Sequence, residues 1–209
     1  MASETNEPKS TNEVTTSETT TNETTNEAQE APAVTDADAC SVEEIEEAIK
    51  GFLTGDLTLA QLEGLTAEDL YAMADVGYDL LEEGRVDDAR KVFEGLNVYN
   101  PFGPYFHSVL GSIYQKLGMP DESLRHYESA VELFPEDIHS WTNAGELMLE
   151  LSAKYADENE EVSQKLFHEA LCALERAVEL DPECESAAAL RARALIGVVV
   201  SAFEARKAS

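Results

Sequence analysis

Apolar positions divide this chain near residue 40. Before it they are nearly absent: Val14 and Val34 are the only branched aliphatics in the first 39 residues. After it they recur every three or four residues, the spacing that places them on one face of a helix. No stretch reads as a convincing strand. The pattern predicts a helix over 42–50 carrying Ile45, Ile49 and Phe52, then a turn at Gly55-Asp56 and a short helix over 57–63. Thr66 with Asp69 forms a capping-box pattern that opens a longer helical array. The segment 1–40 repeats Thr-Asn-Glu at residues 5, 11, 21 and 25 and has almost nothing to bury, so it is expected to be a disordered acidic tail.

Within the helical array a fixed period stands out. Gly77, Gly111 and Gly145 follow one another at intervals of 34, as do Pro101 and Pro135. Ala89, Phe93 and Leu96 in one period correspond to Ser123, Tyr127 and Ala130 in the next. This is the tetratricopeptide pattern: paired antiparallel helices, a small residue where they touch, bulky residues around it, and proline after the second helix. The small residue is needed because two helix axes approach closely only where a side chain is nearly absent.

The third period is longer. Trp141, Ala144, Gly145 and Met148 fit its first helix, but Ala170, Leu174, Ala177 and Pro182 come late. The distance from Pro135 to Pro182 is 47 residues, which implies a 13-residue insertion, roughly 153–165. Its acidic composition suggests a lengthened helical hairpin with a polar tip. After it, Pro182 behind Asp181 reads as the start of one amphipathic closing helix bearing Leu190, Leu195, Val199 and Phe203. Solenoids need such a cap, since the last repeat otherwise exposes an apolar face. The expected fold is all-α: a solenoid of about three helix pairs over 67–207, preceded by a helical lead-in over 41–66 and closed by a capping helix.

In such a solenoid the first helix of each pair lines the concave surface. Counting positions gives its candidate residues: Tyr71, Tyr105 and His139; Ala74, Ser108 and Thr142; Tyr78, Ser112 and Glu146; Leu81, Gln115 and Leu149. Large rings alternate with small side chains, a pattern suited to an extended or helical peptide. Tyrosine offers apolar area with a polar tip at low entropic cost.

Charge narrows the partners. Acids outnumber Lys and Arg 43 to 14, a net −29, and the segment through Cys40 holds −8 of it. A field of that sign argues against nucleic acid and against an anionic membrane surface. No run approaches the roughly 20 apolar residues of a membrane span, and the first 30 residues show no secretory signal. Three cysteines (Cys40, Cys172, Cys184) without a C-x-x-C pair fit a reduced, cytoplasmic compartment with neither disulfide framework nor zinc site. Cys172 reads as a helix-packing thiol and Cys184 as a surface one. His107, His126, His139 and His168 read as isolated residues, and the acids 157–161 lack the ligand spacing of a calcium loop. There is no phosphate loop, no G-x-S-x-G elbow and no H-E-x-x-H helix. An enzyme is not expected, and neither a cofactor nor a metal is called for. The basic residues of a carboxylate clamp are also missing: Ala74 and Tyr78 occupy two of its positions, and Lys116 stands nearly alone.

Specific runs carry a family resemblance. Gly51-Phe52-Leu53-Thr54-Gly55-Asp56-Leu57-Thr58-Leu59 and Leu65-Thr66-Ala67-Glu68-Asp69-Leu70-Tyr71 resemble the lead-in of LcrH/SycD-type class II chaperones of type III secretion. Gly84 to Phe93 and Leu110 to Gly118 are similar to that family's first two repeats, and Asn143-Ala144-Gly145-Glu146 to a motif of its third. The likeness spans roughly 45–151, and the tail, the insertion and the region after 151 depart from it. It implies a cytoplasmic, ATP-independent chaperone that holds an apolar segment of an exported translocator in its groove. It carries the groove role onto Tyr71, Tyr78, Tyr105 and Ser112, and a homodimer contact onto Ile45, Ile49 and Phe52. The rival reading from another class is a scaffold that joins folded proteins. A regulator whose partner choice changes with its client is a third.

Overall fold

The computed structural model describes residues 41–207; the predicted tail, 1–40, and Cys40 with it lie outside the described residues. Among the described residues the chain forms nine helices and no strand: α1 (Val42–Thr54), α2 (Leu59–Leu62), α3 (Ala67–Glu82), α4 (Val86–Tyr99), α5 (Pro104–Lys116), α6 (Pro120–Leu133), α7 (Ile138–Tyr155), α8 (Glu160–Leu180) and α9 (Ala187–Lys207). Capping explains the first three starts. Ser41, Thr58 and Thr66 each accept a hydrogen bond from the N–H three residues on, and Glu44, Gln61 and Asp69 reach back to the cap. Proline opens α5 and α6, where its missing N–H costs nothing.

The helices stack as antiparallel pairs, α3 with α4, α5 with α6 and α7 with α8, and α9 packs on α7 and α8. Each of the first two pairs turns at a glycine in the left-handed region, Gly84 (φ 76°) and Gly118 (φ 71°), 34 residues apart. The next residue's N–H then reaches back across the turn, Arg85 to Leu80 O at 2.8 Å and Met119 to Tyr114 O at 2.9 Å. This is the Schellman closure, and it explains why glycine stands there.

The three glycines spaced at 34 mark the closest approach within each pair. A Cβ at Gly77 would fall 2.5 Å from the Phe93 ring, one at Gly111 2.6 Å from Tyr127, and one at Gly145 2.7 Å from Leu174. Phe93 and Tyr127 lie 16 residues after their glycines and Leu174 lies 29 after its own. The third pair therefore keeps its packing contact across 13 extra residues. Those residues lengthen the hairpin: α7 has 18 residues and α8 has 21, against 13 and 14 in the pair before. Ser152 and Ser163 hold the extension by donating to each other's carbonyls at 2.9 and 2.8 Å. Phe93, Tyr127 and Leu174 are almost wholly buried, each worth about 2–3 kcal/mol relative to exposure. The core is strung along the stack rather than gathered at one centre, as nearest-neighbour packing requires.

The closing helix differs from its predicted form. It begins at Ala187, not at Pro182, because Asp181 takes the N–H groups of Glu185 and Ser186 in a turn that puts Cys184 at φ 53°. Ser186 then caps the helix through the Ala189 N–H. Nor is α9 cleanly amphipathic. Ala188, Ala189 and Ala192 form its buried stripe, while Leu190 is 59% exposed and Val198 68%. Small residues face inward here because α9 crosses close to α7. The Phe203 side chain is outside the described set. Among the described residues no helix is long and apolar enough to cross a membrane.

Candidate functional site

The first helices of the pairs share one face, and tyrosines join them. The Tyr105 hydroxyl donates to the Tyr78 oxygen at 2.9 Å, tying α5 to α3. The Tyr71 and Tyr105 rings meet edge-on at 5.4 Å, and Tyr78 meets Phe93 edge-on at 5.5 Å. Burial, with the Tyr105 hydrogen bond, pushes the Tyr78 phenol far above its usual range, so it stays neutral. Ser108 and Ser140 hydroxyls lie 2.8 Å apart and connect α5 to α7.

These contacts frame a cleft of about 510 Å³. Of the predicted groove residues, Tyr78, Tyr105, Ser108, Ser112 and His139 border it. Gln115 and Glu146 border a neighbouring cleft of about 400 Å³, which shares Ser112 and Asn143 with the first. Tyr71 is exposed against Tyr105 beside the first cleft. Four predicted positions are not on this surface, among them Leu149, which packs against the core of the third pair and α9. Ala74 is 1% exposed and sits in the core of the first pair, and Leu81 packs against the same core. Thr142 is fully buried; its hydroxyl donates to Ile138 O at 2.8 Å and lies 3.3 Å from Ala188 O. The cause is α9, which covers this part of α7. Ile45, Ile49 and Phe52 stand exposed on α1, of which no residue is buried.

Among the lining residues that period counting did not name, Phe134 and Arg191 stand out. Phe134, in the turn between α6 and α7, supplies a ring to the first cleft. A large apolar residue just before the turn proline was the available signal. Arg191 comes into the second cleft from α9, beyond the repeats, where period counting gives no position. Its Nε lies 3.4 Å from Glu146 Oε2, and its Nη2 donates to Asn143 Oδ1.

The histidines also differ from expectation. His107 and His126 are a pair, Nδ1 to Nδ1 at 3.1 Å, with His107 Nε2 3.1 Å from Pro101 O. A carbonyl only accepts, so neutral His107 carries its proton on Nε2 and accepts from His126 Nδ1–H. The Tyr114 ring stacks on His126 at 5.3 Å, and its hydroxyl donates to Glu94 at 2.5 Å. Burial first, and the neighbouring His107 second, push the His126 pKa down to about 4. Cys172, expected to pack, is exposed, and Cys184 is half-buried. Among the described residues no group of three or more His, Cys, Asp or Glu is arranged to hold a metal ion.

The tetratricopeptide repeat family matches residues 104–137, the second pair and its turns. The chain is 28% identical over 85 residues to the low calcium response locus protein H of Yersinia pestis, covering 41% of this chain and 51% of that protein. The translocator chaperone SycD of Yersinia enterocolitica superposes with a TM-score of 0.56 at 22% identity, over 68% of this chain and 97% of that one. The chain thus resembles the LcrH/SycD type in sequence and in fold. A T3SS complex from Aeromonas hydrophila matches with a TM-score of 0.57 at 25% identity, over 76% of this chain and 98% of that one. The chain spans about half the length of the curated relatives it matches. The fold is thus shared with SycD over 68% of this chain, and the resemblance to the LcrH/SycD type holds.

Proposed function

We propose that this protein is a cytoplasmic, ATP-independent chaperone that holds an apolar segment of an exported, membrane-seeking protein in the groove along α3, α5 and α7. One observation carries the reading: a ring-lined cleft, bordered by Tyr78, Tyr105, Val109 and Phe134, opens on the surface of a chain with net charge −29. An apolar slot gives a client's apolar side chains somewhere to go, while the acidic exterior keeps the complex in solution. The likeness to the low calcium response locus protein H and to the Aeromonas hydrophila complex supports the assignment to type III secretion. Holding and releasing a segment needs only reversible binding and competition by the export machinery, so no bond-making step or cofactor enters. The exposed row Ile45, Ile49 and Phe52 on α1 supports a homodimer contact.

The test is affinity capture from the native host's cytosol by the intact protein and by a Tyr71→Ala/Tyr105→Ala variant. A dominant partner with long apolar segments, insoluble alone and absent from the variant's eluate, is the expected result. Equal capture by the variant, or recovery of a stable set of folded soluble proteins, would favour the scaffold and overturn the groove assignment.

A further inference from the structure

The groove changes character along its length. Its first cleft is walled mainly by rings and aliphatic groups, with Asp137 the one carboxylate on it, but past Ser112 and Asn143 it opens into the second, whose walls are Gln115, Lys116, Tyr127, Glu146 and Arg191. Two cations and one carboxylate border this second cleft, a local positive balance within a chain of net −29. Arg191 is held there from two sides, by Glu146 and by Asn143, so its guanidinium is fixed as part of the wall. Lys116 is exposed in the last turn of α5. Tyr127 donates its hydroxyl to Gln115 Oε1 at 3.2 Å, which engages that oxygen and leaves the Gln115 amide with donors to offer. Burial pushes the Tyr127 pKa up despite the opposing charge of Arg191, so the phenol remains a neutral donor. Amide, ammonium and guanidinium donors gathered at one end of an apolar slot suit an anion, whereas a Lys or Arg there would meet two like charges.

We infer that the second cleft takes a carboxylate side chain of the bound segment, so that the groove selects a peptide carrying an apolar residue and, a few residues along, an Asp or Glu. The inference rests on the groove reading proposed above and gives it a direction. The apolar anchor sits mainly between α5 and α7, with Tyr78 contributed by α3, and the acid lies toward α9, which places the capping helix within the recognition surface.

The test is selection from a displayed peptide library with one Leu fixed at the centre and both flanks randomised, fused at its carboxy end so that only side chains supply the acid. Peptides bound by the full chain should show Asp and Glu enriched about fivefold at one flanking position, the scale of a single solvent-accessible ion pair. Lys116→Glu, at an exposed site, should keep the wild-type melting temperature, lose that enrichment and gain Lys and Arg at the same position. Arg191→Gln should weaken the acid preference in the same direction. Leu-anchored peptides enriched without an acid preference, or with the same preference on Lys116→Glu, would overturn this inference and leave the groove standing. Failure to enrich any peptide over an unrelated protein would overturn the groove reading and the inference together.

Discussion

The Tyr127 ring fills the space that a side chain on Gly111 would need: a Cβ there would stand 2.6 Å from the ring carbons. The ring has no easy escape, since it is 1% exposed and its hydroxyl is held near Ser112 and Gln115. Gly111→Ala should therefore destabilise the fold by about 2–3 kcal/mol, the upper range for overpacking a tight core. Gly95, in α4, is the matched control, because a Cβ added there would meet no atom within 4 Å. Gly95→Ala should stabilise by about 0.5–1 kcal/mol through helix propensity alone. Chemical denaturation of both variants decides the point. Equal stability of Gly111→Ala and wild type would mean the pair does not pack as closely as described.

Tyr105 and Thr142 separate binding from folding. Tyr105 is 38% exposed at the rim of the first cleft, whereas Thr142 is sealed beneath α9. Tyr105→Ala should weaken client affinity about tenfold or more, as loss of an aromatic anchor does. Thr142→Ala should cost about 1 kcal/mol of stability through its buried hydroxyl and leave affinity unchanged. Titration of the captured client against each variant, with parallel denaturation, reads both effects. A Thr142→Ala protein that folds normally but binds poorly would return that residue to the groove.

These two residues also show what the sequence made legible. The period of 34 located Gly77, Gly111 and Gly145 and their partners because a close helix approach constrains residue type at fixed intervals. Helix capping was readable for the same reason: Thr66 and Asp69 act locally, through bonds three residues apart. Thr142 and Arg191 were illegible because both depend on where α9 lies, and α9 stands outside the repeat. Period counting treated Thr142 as the equivalent of Ser108, but the next helix covers one and not the other. The His107–His126 pair escaped notice because its members lie 19 residues apart on different helices, a spacing that carries no signal of its own.

The apolar row on α1 should govern self-association rather than stability. Ile45, Ile49 and Phe52 are 47%, 48% and 42% exposed, so their removal leaves no cavity in the described core. Ile45→Glu with Ile49→Glu should shift the melting temperature by no more than about 2 °C, the scale of ~0.5 kcal/mol in a domain of this size. The same change should convert a dimer to a monomer, because two buried carboxylates without partners oppose any apolar contact. Sedimentation velocity across micromolar concentrations gives the answer. A wild type that stays monomeric throughout, or a variant that still dimerises, would remove α1 from the interface.

His126 should make the fold acid-sensitive in a narrow window. Its pKa is near 4 in the folded chain against an ordinary 6.5, chiefly because burial disfavours the imidazolium, with His107 adding to the effect. Between those values the unfolded chain binds a proton that the folded chain refuses. Stability therefore rises with pH across this window. The contribution is complete above pH 6.5, fades as the pH falls toward 4, and changes no further below it. With solvent screening of a half-buried ring allowed for, the amplitude should be about 1–2 kcal/mol. His126→Gln removes the titration while lowering stability by a constant amount through loss of the His107 hydrogen bond. The informative quantity is thus the difference between wild type and variant at pH 7.5 and again at pH 4.5, in which the carboxylates common to both cancel. Wild type should lose more stability on acidification than the variant does. Parallel curves would show that His126 does not carry the acid response, and that its stacking on Tyr114 tolerates the charged ring.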